Sequence, residues 1–275
     1  MDTVAQAVIM GIVQGLTEFL PVSSSGHLII VPFLFGWHDP FIDSLAFSVM
    51  LHIGTLLALL IYFWADWLRL VPAGLAALRD RSLRSDPDRR LAWLLVAATI
   101  PAAIVGFLFN DIIESNVREV GLVALTLVVG GGILWLADRR GGRAKGVADV
   151  SFPVAIGIGV AQAVALVPGI SRSGISISAA RFAGLDREAA ARFSFLMATP
   201  VTAGAAIFEL RKLVSGEAGV DVSLEPLVIG MVAAFISGML AIGVLLRYVR
   251  TRSLDVFVWY RLVLAGVVLV AWLAR

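Results

Sequence analysis

The sequence predicts an all-α polytopic membrane protein, an inverted repeat of two halves. Each half is read as a re-entrant helix–loop–helix hairpin followed by three transmembrane helices. Three observations lead there. Of 275 residues, 59% are hydrophobic and 15% charged, against about 25% charged in soluble domains, and the mean hydropathy is +0.93. Several uncharged runs come near the ~20 residues that cross ~30 Å of hydrocarbon. A small polar cluster also recurs 148 residues apart: Gly11, Gln14, Ser23, Ser25 and Gly26 reappear as Gly159, Gln162, Ser171, Ser173 and Gly174.

In chain order, the first repeat is expected over 1–149. Its hairpin occupies about 3–36, because residues 3–17 are uncharged before Glu18, Pro21 breaks the helix, and the apolar run behind it is too short to cross. Spans follow at about 41–63, 91–109 and 120–137. The second repeat, 150–275, opens with a hairpin at about 152–184, where Pro168-Gly169 and Arg172 interrupt the apolar run. Its spans fall at about 190–209, 226–246 and 256–274. Non-helical backbone at such depth is tolerated only where protein buries it or a cavity accepts it.

Three spans per half is an odd number, so the second half enters upside down and the broken helices meet near the midplane. Charge supports this. The loops 64–90, 138–149, 181–192 and 247–255 share one side and carry sixteen Lys or Arg. The other side carries four: Arg118, Arg211, Lys212 and Arg275. Basic loops stay in the cytoplasm, so both termini and the mouth of the first hairpin are expected to face outward. Cysteine is absent, which excludes a disulfide frame and thiolate chemistry. The excess of two positive charges sits in inter-helix loops, as membrane orientation requires, and gives no sign of nucleic acid. Asp2 near the start, with no basic stretch, argues against a cleaved signal.

The clusters carry the chemistry. Ser23-Ser24-Ser25-Gly26 after Pro21 suits a helix start, and a helix N-terminus offers unpaired N–H groups and partial positive charge to an anion. Ser171-Arg172-Ser173-Gly174 repeats the device and adds a guanidinium fork that matches phosphate oxygens. His27 stands one turn after Ser24, where an imidazole could move a proton. Glu18 stands one turn after Gln14, placed to hold a divalent cation or to orient His27. Ser-rich turns, His52, Asp43, Glu209 and Arg261 each also have a plain reading as packed or interfacial polar groups. Ionisable groups at membrane depth are costly enough to suggest function when they converge.

The stretches from Gln14 to His27 (QGLTEFLPVSSSGH), from Pro168 to Gly174 (PGISRSG) and Phe193-Ser194-Phe195-Leu196 closely resemble the signature motifs of the bacterial undecaprenyl-diphosphatase, or bacitracin-resistance, family, and the likeness runs the whole chain. It implies an integral protein of the bacterial plasma membrane, with termini and pocket opening on the periplasmic side, a phosphatase that removes the terminal phosphate from the C55 polyprenyl diphosphate carrier of cell-wall synthesis. Carried over, the resemblance gives Glu18, Ser24, His27 and Arg172 catalytic roles. Ser23, Ser25, Gly26, Gln14, Ser171, Ser173, Gly174 and Gln162 are expected to bind substrate. A divalent cation, Mg²⁺ or Ca²⁺, is expected on Glu18 with Gln14, a position where the family often has Glu. The partners are the lipid substrate and membrane lipids, with a homodimer compatible. Attack by Ser24, with Ser23 the second choice and His27 as base or as acid for the leaving lipid phosphate, and attack by water with Ser24 as a ligand both remain open. The competing class is a polyprenyl-phosphate transporter or flippase, which needs the anion site but no Ser–His pair.

The topology is checked by single cysteines. Cysteines replacing Arg84 and Gly142 should label only from the cytoplasmic side, and those replacing Asn116 and Gly219 only from outside. Labelling of positions 116 and 142 from one side would break the three-span repeat.

Overall fold

The computed structural model describes residues 2–83, 86–116, 119–142, 144–214 and 224–275. The first half comprises α1 (Thr3–Phe19), α2 (Ser24–Phe35), α3 (Leu45–Tyr62), α4 (Trp64–Asp80), α5 (Pro87–Asn116) and α6 (Val120–Arg140). A short 3₁₀ turn, Val147–Asp149, leads to α7 (Phe152–Val164), α8 (Arg172–Phe182), α9 (Arg187–Val214), α10 (Leu224–Val249) and α11 (Asp255–Leu273). Among the described residues there is no strand. Five helices (α5, α6, α9, α10 and α11) are long and apolar enough to cross a membrane, and α3 with α4 makes a sixth candidate, bent by 82°. The chain is thus a multi-pass membrane protein.

Local chemistry sets the ends. Asp2 caps α1 by accepting from Ala5 N at 2.7 Å, and Ser44 caps α3 by accepting from Phe47 N at 3.1 Å. Gly36 closes α2 in the left-handed region, φ 65°. At about 1.5 Å per residue, α1 and α7 are each shorter than the hydrocarbon is thick, as expected of helices that stop at depth.

The halves interlock reciprocally. Helix α1 of the first hairpin packs chiefly on α10 of the second half, and α7 of the second hairpin packs on α5 of the first. Helix α6 pairs with its counterpart α11, and α3 with α9. This exchange is what a repeat related by a pseudo-twofold axis produces. The repeated glycines mark the crossing points: a Cβ on Gly11 would stand 3.0 Å from the Gly230 carbonyl carbon, and one on Gly159 would stand 2.9 Å from that of Ala98. Small residues permit such approach where no solvent drives helices together.

Several expectations change. Residues 64–90, read as a basic loop, hold α4, because Trp64, Leu68, Val71, Leu75 and Leu78 recur at helical spacing between the charges. The span expected at 190–209 belongs to a helix that starts at Arg187 and runs to Val214. The span expected at 91–109 lies inside a helix that starts at Pro87. Arg181, counted as a loop charge, is fully buried in α8, where it donates to the carbonyls of Gly142 and Leu185 and stands 3.7 Å from Asp138. The labelling positions Arg84 and Gly219, and the loop charge Arg118, lie outside the described residues.

The α1–α10 crossing gives a stability test. A Cβ on Gly15 would stand 2.7 Å from Gly238 N and against the Ala234 carbonyl, both backbone and unable to give way cheaply. Gly15→Ala should cost about 1–3 kcal/mol, read as a lowered thermal midpoint in detergent. An unchanged midpoint would show the crossing to be looser than described.

Candidate active site

The two polar clusters fold into the same local structure. Ser23 (φ 78°, ψ 93°) and Ser171 (φ 77°, ψ 116°) are N-caps in the left-handed region, a strained conformation for serine. Ser23 Oγ accepts from Gly26 N at 3.3 Å and Ser171 Oγ from Gly174 N at 3.1 Å. Each hydroxyl also meets its neighbour two residues on, Ser25 at 3.4 Å and Ser173 at 3.3 Å. The hairpin turns then touch: Gly169 N donates to Ser23 Oγ at 3.1 Å, and Ser173 Oγ donates to the Leu20 carbonyl at 3.0 Å. Two helix N-termini, α2 and α8, are thereby brought side by side. The remaining first-turn N–H groups of each have no intrahelical acceptor.

On this symmetric frame sits an asymmetric cluster. Glu18, buried at 6% exposure, uses both oxygens. One pairs with Arg172 across the repeat. The other accepts from Ser24 Oγ at 2.5 Å and from Gln14 Nε2 at 3.0 Å. Arg172, the first residue of α8, also donates to Thr202 Oγ1 of α9 at 2.5 Å. Ser24, Ser25 and Arg172 are only half-buried, so they are the accessible members. A small cavity adjoins Arg172, lined also by Glu18, Ser173 and Ser194 among others.

The structure joins Glu18, Ser24, Arg172 and Gln14 as expected, but it separates His27 from Ser24. The His27 ring is held at both nitrogens: Nδ1 donates to the Ser23 carbonyl at 2.7 Å, and Nε2 meets the Tyr260 hydroxyl at 2.7 Å. The ring therefore points along α2 toward α11, and Ser24 turns to Glu18 instead. Ser23 and Ser171 spend their hydroxyls, and Gly26 and Gly174 their N–H groups, on the caps. Gln162 is buried at 2%, and neither of its amide atoms is hydrogen-bonded. It does not join the cluster.

His52 of α3, to which the sequence gives a plain reading as a packed polar group, stands at the edge of this cluster. Its Nδ1 donates to the Ser48 carbonyl at 2.7 Å, which turns Nε2 toward Glu18 Oε2 at 3.5 Å. Thr202 carried no sequence signal at all. Arg261 is fully buried. It donates to the carbonyls of Pro21 at 3.3 Å, Leu127 at 3.1 Å, Gly169 at 2.7 Å, Ile170 at 3.0 Å and Thr126 at 3.4 Å.

For a cation, the donor set is lean. Among the described residues no group of three or more His, Cys, Asp or Glu could hold a metal ion. Yet Gln14 Oε1 is buried without a hydrogen-bond partner, one turn from Glu18. One carboxylate and one amide oxygen fit a cation whose other ligands are substrate phosphates and water, which is how Mg²⁺ commonly binds.

Residues 7–267 match the family described as "Bacitracin resistance protein BacA". The chain is 46% identical over 270 residues to a protein of Desulforudis audaxviator named undecaprenyl-diphosphatase, covering 98% of each. Proteins of the same name from Moorella thermoacetica and Gemmatimonas aurantiaca are 45% and 47% identical, over 99% of this chain and 100% and 98% of theirs.

Arg172 binds two partners through two different nitrogens, a geometry that a point charge on a flexible stem cannot copy. Arg172→Lys should lower turnover at least tenfold, a loss of about 1.4 kcal/mol or more in the transition state. Near-wild-type rates in Arg172→Lys would reduce the residue to a simple charge.

Proposed function

We propose, from the premise that this chain belongs to the bacitracin resistance protein BacA family, that it is an undecaprenyl-diphosphate phosphatase. It hydrolyses the C55 polyprenyl diphosphate to the monophosphate and inorganic phosphate, and so recycles the lipid carrier of cell-wall synthesis. The observation that carries this reading is the continuous contact from Ser24 through Glu18 to Arg172, across both repeats and beside two helix N-termini. A site built only to carry a lipid phosphate needs the cations and dipoles, but not a serine hydroxyl held on a carboxylate.

The orientation follows from the charge bias: Arg-rich loops in the cytoplasm, termini and pocket opening outward. The polyprenyl tail stays in the bilayer and the diphosphate enters between α2 and α8. Arg172 and the first-turn N–H groups of the two helices draw it in and neutralise it. Glu18 and Gln14 Oε1 would hold a Mg²⁺ or Ca²⁺ carried on the diphosphate, which supplies further charge neutralisation. Ser24 Oγ attacks the terminal phosphorus and passes its proton to Glu18 Oε2, 2.5 Å away. The bond from that phosphorus to the bridging oxygen breaks and lipid monophosphate leaves. Water then attacks the phosphoserine, the serine recovers its proton, and phosphate departs. Such transfer depends mainly on positioning and electrostatics. In this scheme His27 is a positioning residue: with Tyr260 it fixes the first turn of α2, which carries Ser24.

The purified protein given polyprenyl diphosphate in detergent should release inorganic phosphate. Ser24→Ala should fall to background while still binding the lipid diphosphate, and Ser23→Ala and Ser25→Ala should keep measurable rates. Phosphate release from Ser24→Ala within a few-fold of wild type would move the attack to water. No release from the wild-type protein, with lipid diphosphate crossing the bilayer intact, would favour a carrier.

A further inference from the structure

Helix α4 takes no part in the site and has no counterpart among the described residues of the second half. It leaves the end of α3 at 82°. The sequence reads 41–63 as a span, and with α3 crossing the bilayer a helix at 82° to it runs along the surface, on the face where the Arg-rich loops gather. At 100° per residue, Trp64, Leu68, Val71, Leu75 and Leu78 fall in one narrow stripe. All five are exposed, at 54–66%. The helix is not short of a protein partner: Leu70 and Ala77, on another face, are buried, Trp93 of α5 donates to the Gly74 carbonyl at 3.2 Å, and Asp66 takes Arg192 of α9 at 2.7 Å. The stripe is therefore a second apolar face, turned away from the bundle.

The charges around it are not evenly spent. Arg69 pairs with Asp66 and Asp88, and Arg89 with Asp80. Arg79 and Arg81, both exposed at the end of the stripe, have no acidic partner among the described residues. An apolar stripe bordered by unpaired guanidinium groups matches a lipid surface whose headgroups are anionic: the stripe enters the acyl boundary and the arginines meet phosphates.

We propose that α4 is an interfacial helix that docks the basic face of the protein on anionic phospholipid, with Leu68 and Leu75 below the headgroups and Arg79 and Arg81 among them. The helix neither crosses the bilayer nor projects into water, so the bent pair contributes one span.

The test uses the full chain, which has no native cysteine. Single cysteines replacing Leu68 and Leu75 on the stripe, and Ala65 about a quarter-turn away, carry an environment-sensitive fluorophore. The protein is reconstituted in phosphatidylcholine vesicles with or without about one third phosphatidylglycerol. Bromine-labelled lipid should quench positions 68 and 75 at least about threefold more than position 65, and aqueous iodide the reverse. Lipid quenching at position 75 should rise with phosphatidylglycerol, and Arg79→Gln with Arg81→Gln should abolish that rise. Iodide reaching 68 and 75 as readily as 65 would place the helix in water and overturn the proposal. Protection from both quenchers would mean that a second copy covers the stripe, which also overturns it. Lipid quenching indifferent to phosphatidylglycerol would refute the recognition of anionic headgroups.

Discussion

One guanidinium holds the centre together. Arg261 enters from α11 with no carboxylate among the described residues near enough to pair, and its donors go to carbonyls from three separate places: the turn after α1, the turn before α8, and α6. The need is set by the fold. A helix that stops at membrane depth exposes carbonyls that water cannot reach, and each unsatisfied group costs several kcal/mol. Two hairpins that meet there double the problem and bring like partial charges face to face. A five-donor planar cation answers both difficulties at once. A carboxylate beside it would draw the donors away from the turns, so its lack of an acidic partner is what lets it serve them.

With the turns secured, symmetry and its breaking divide the work. Ser23 and Ser171, with Gly26 and Gly174, build the same strained cap twice, and the caps interlock through Gly169 and Leu20. This places two helix N-termini together without any chemistry of their own. In the proposed mechanism, reactivity enters only at positions where the repeat differs. Ser24 corresponds to Arg172, so the symmetric slot holds a hydroxyl on one side and a guanidinium on the other. Glu18 corresponds to Leu166, and it is the group that joins those two. A strictly symmetric protein would have repeated the caps without the contact that joins Ser24 to Arg172 through Glu18.

Much of this was legible because hydrophobic runs and broken periodicity report solvent directly. Pro21 and Pro168-Gly169 announced the hairpins, and the recurrence at 148 residues announced that they match. The convergence of Glu18, Ser24 and Arg172 followed from their rarity in apolar sequence. What stayed hidden depended on rotamers and on distant partners. Sequence spacing puts His27 and Glu18 each within reach of Ser24, one by a helical turn and one across a broken turn. The backbone decides between them, because the left-handed Ser23 aims its own carbonyl at His27 and swings Ser24 toward α1. His52 and Thr202 come from helices 34 and 184 residues beyond Glu18, and no local pattern ties them to the cluster. Helix α4 was masked by its own charges, since arginines count as loop residues when net hydropathy is summed and as one helix face when angles are considered.

The depth of the site also bears on which diphosphates can use it. An anion moved to the N-termini of α2 and α8 gives up hydration, and Arg172 with two sets of backbone dipoles must offset that loss. In a low-dielectric surrounding those interactions strengthen, but the desolvation penalty grows with them, and a small water-soluble diphosphate gains nothing more by entering. A polyprenyl diphosphate is already anchored with its tail in hydrocarbon, at about 0.8 kcal/mol per buried CH₂ for an inserted chain. Its headgroup needs to travel only part of the bilayer to reach the hairpin tips. On the proposed mechanism the short helices α1 and α7 therefore do more than shape a pocket: by stopping partway, they set the reaction where only a substrate held by the membrane arrives readily.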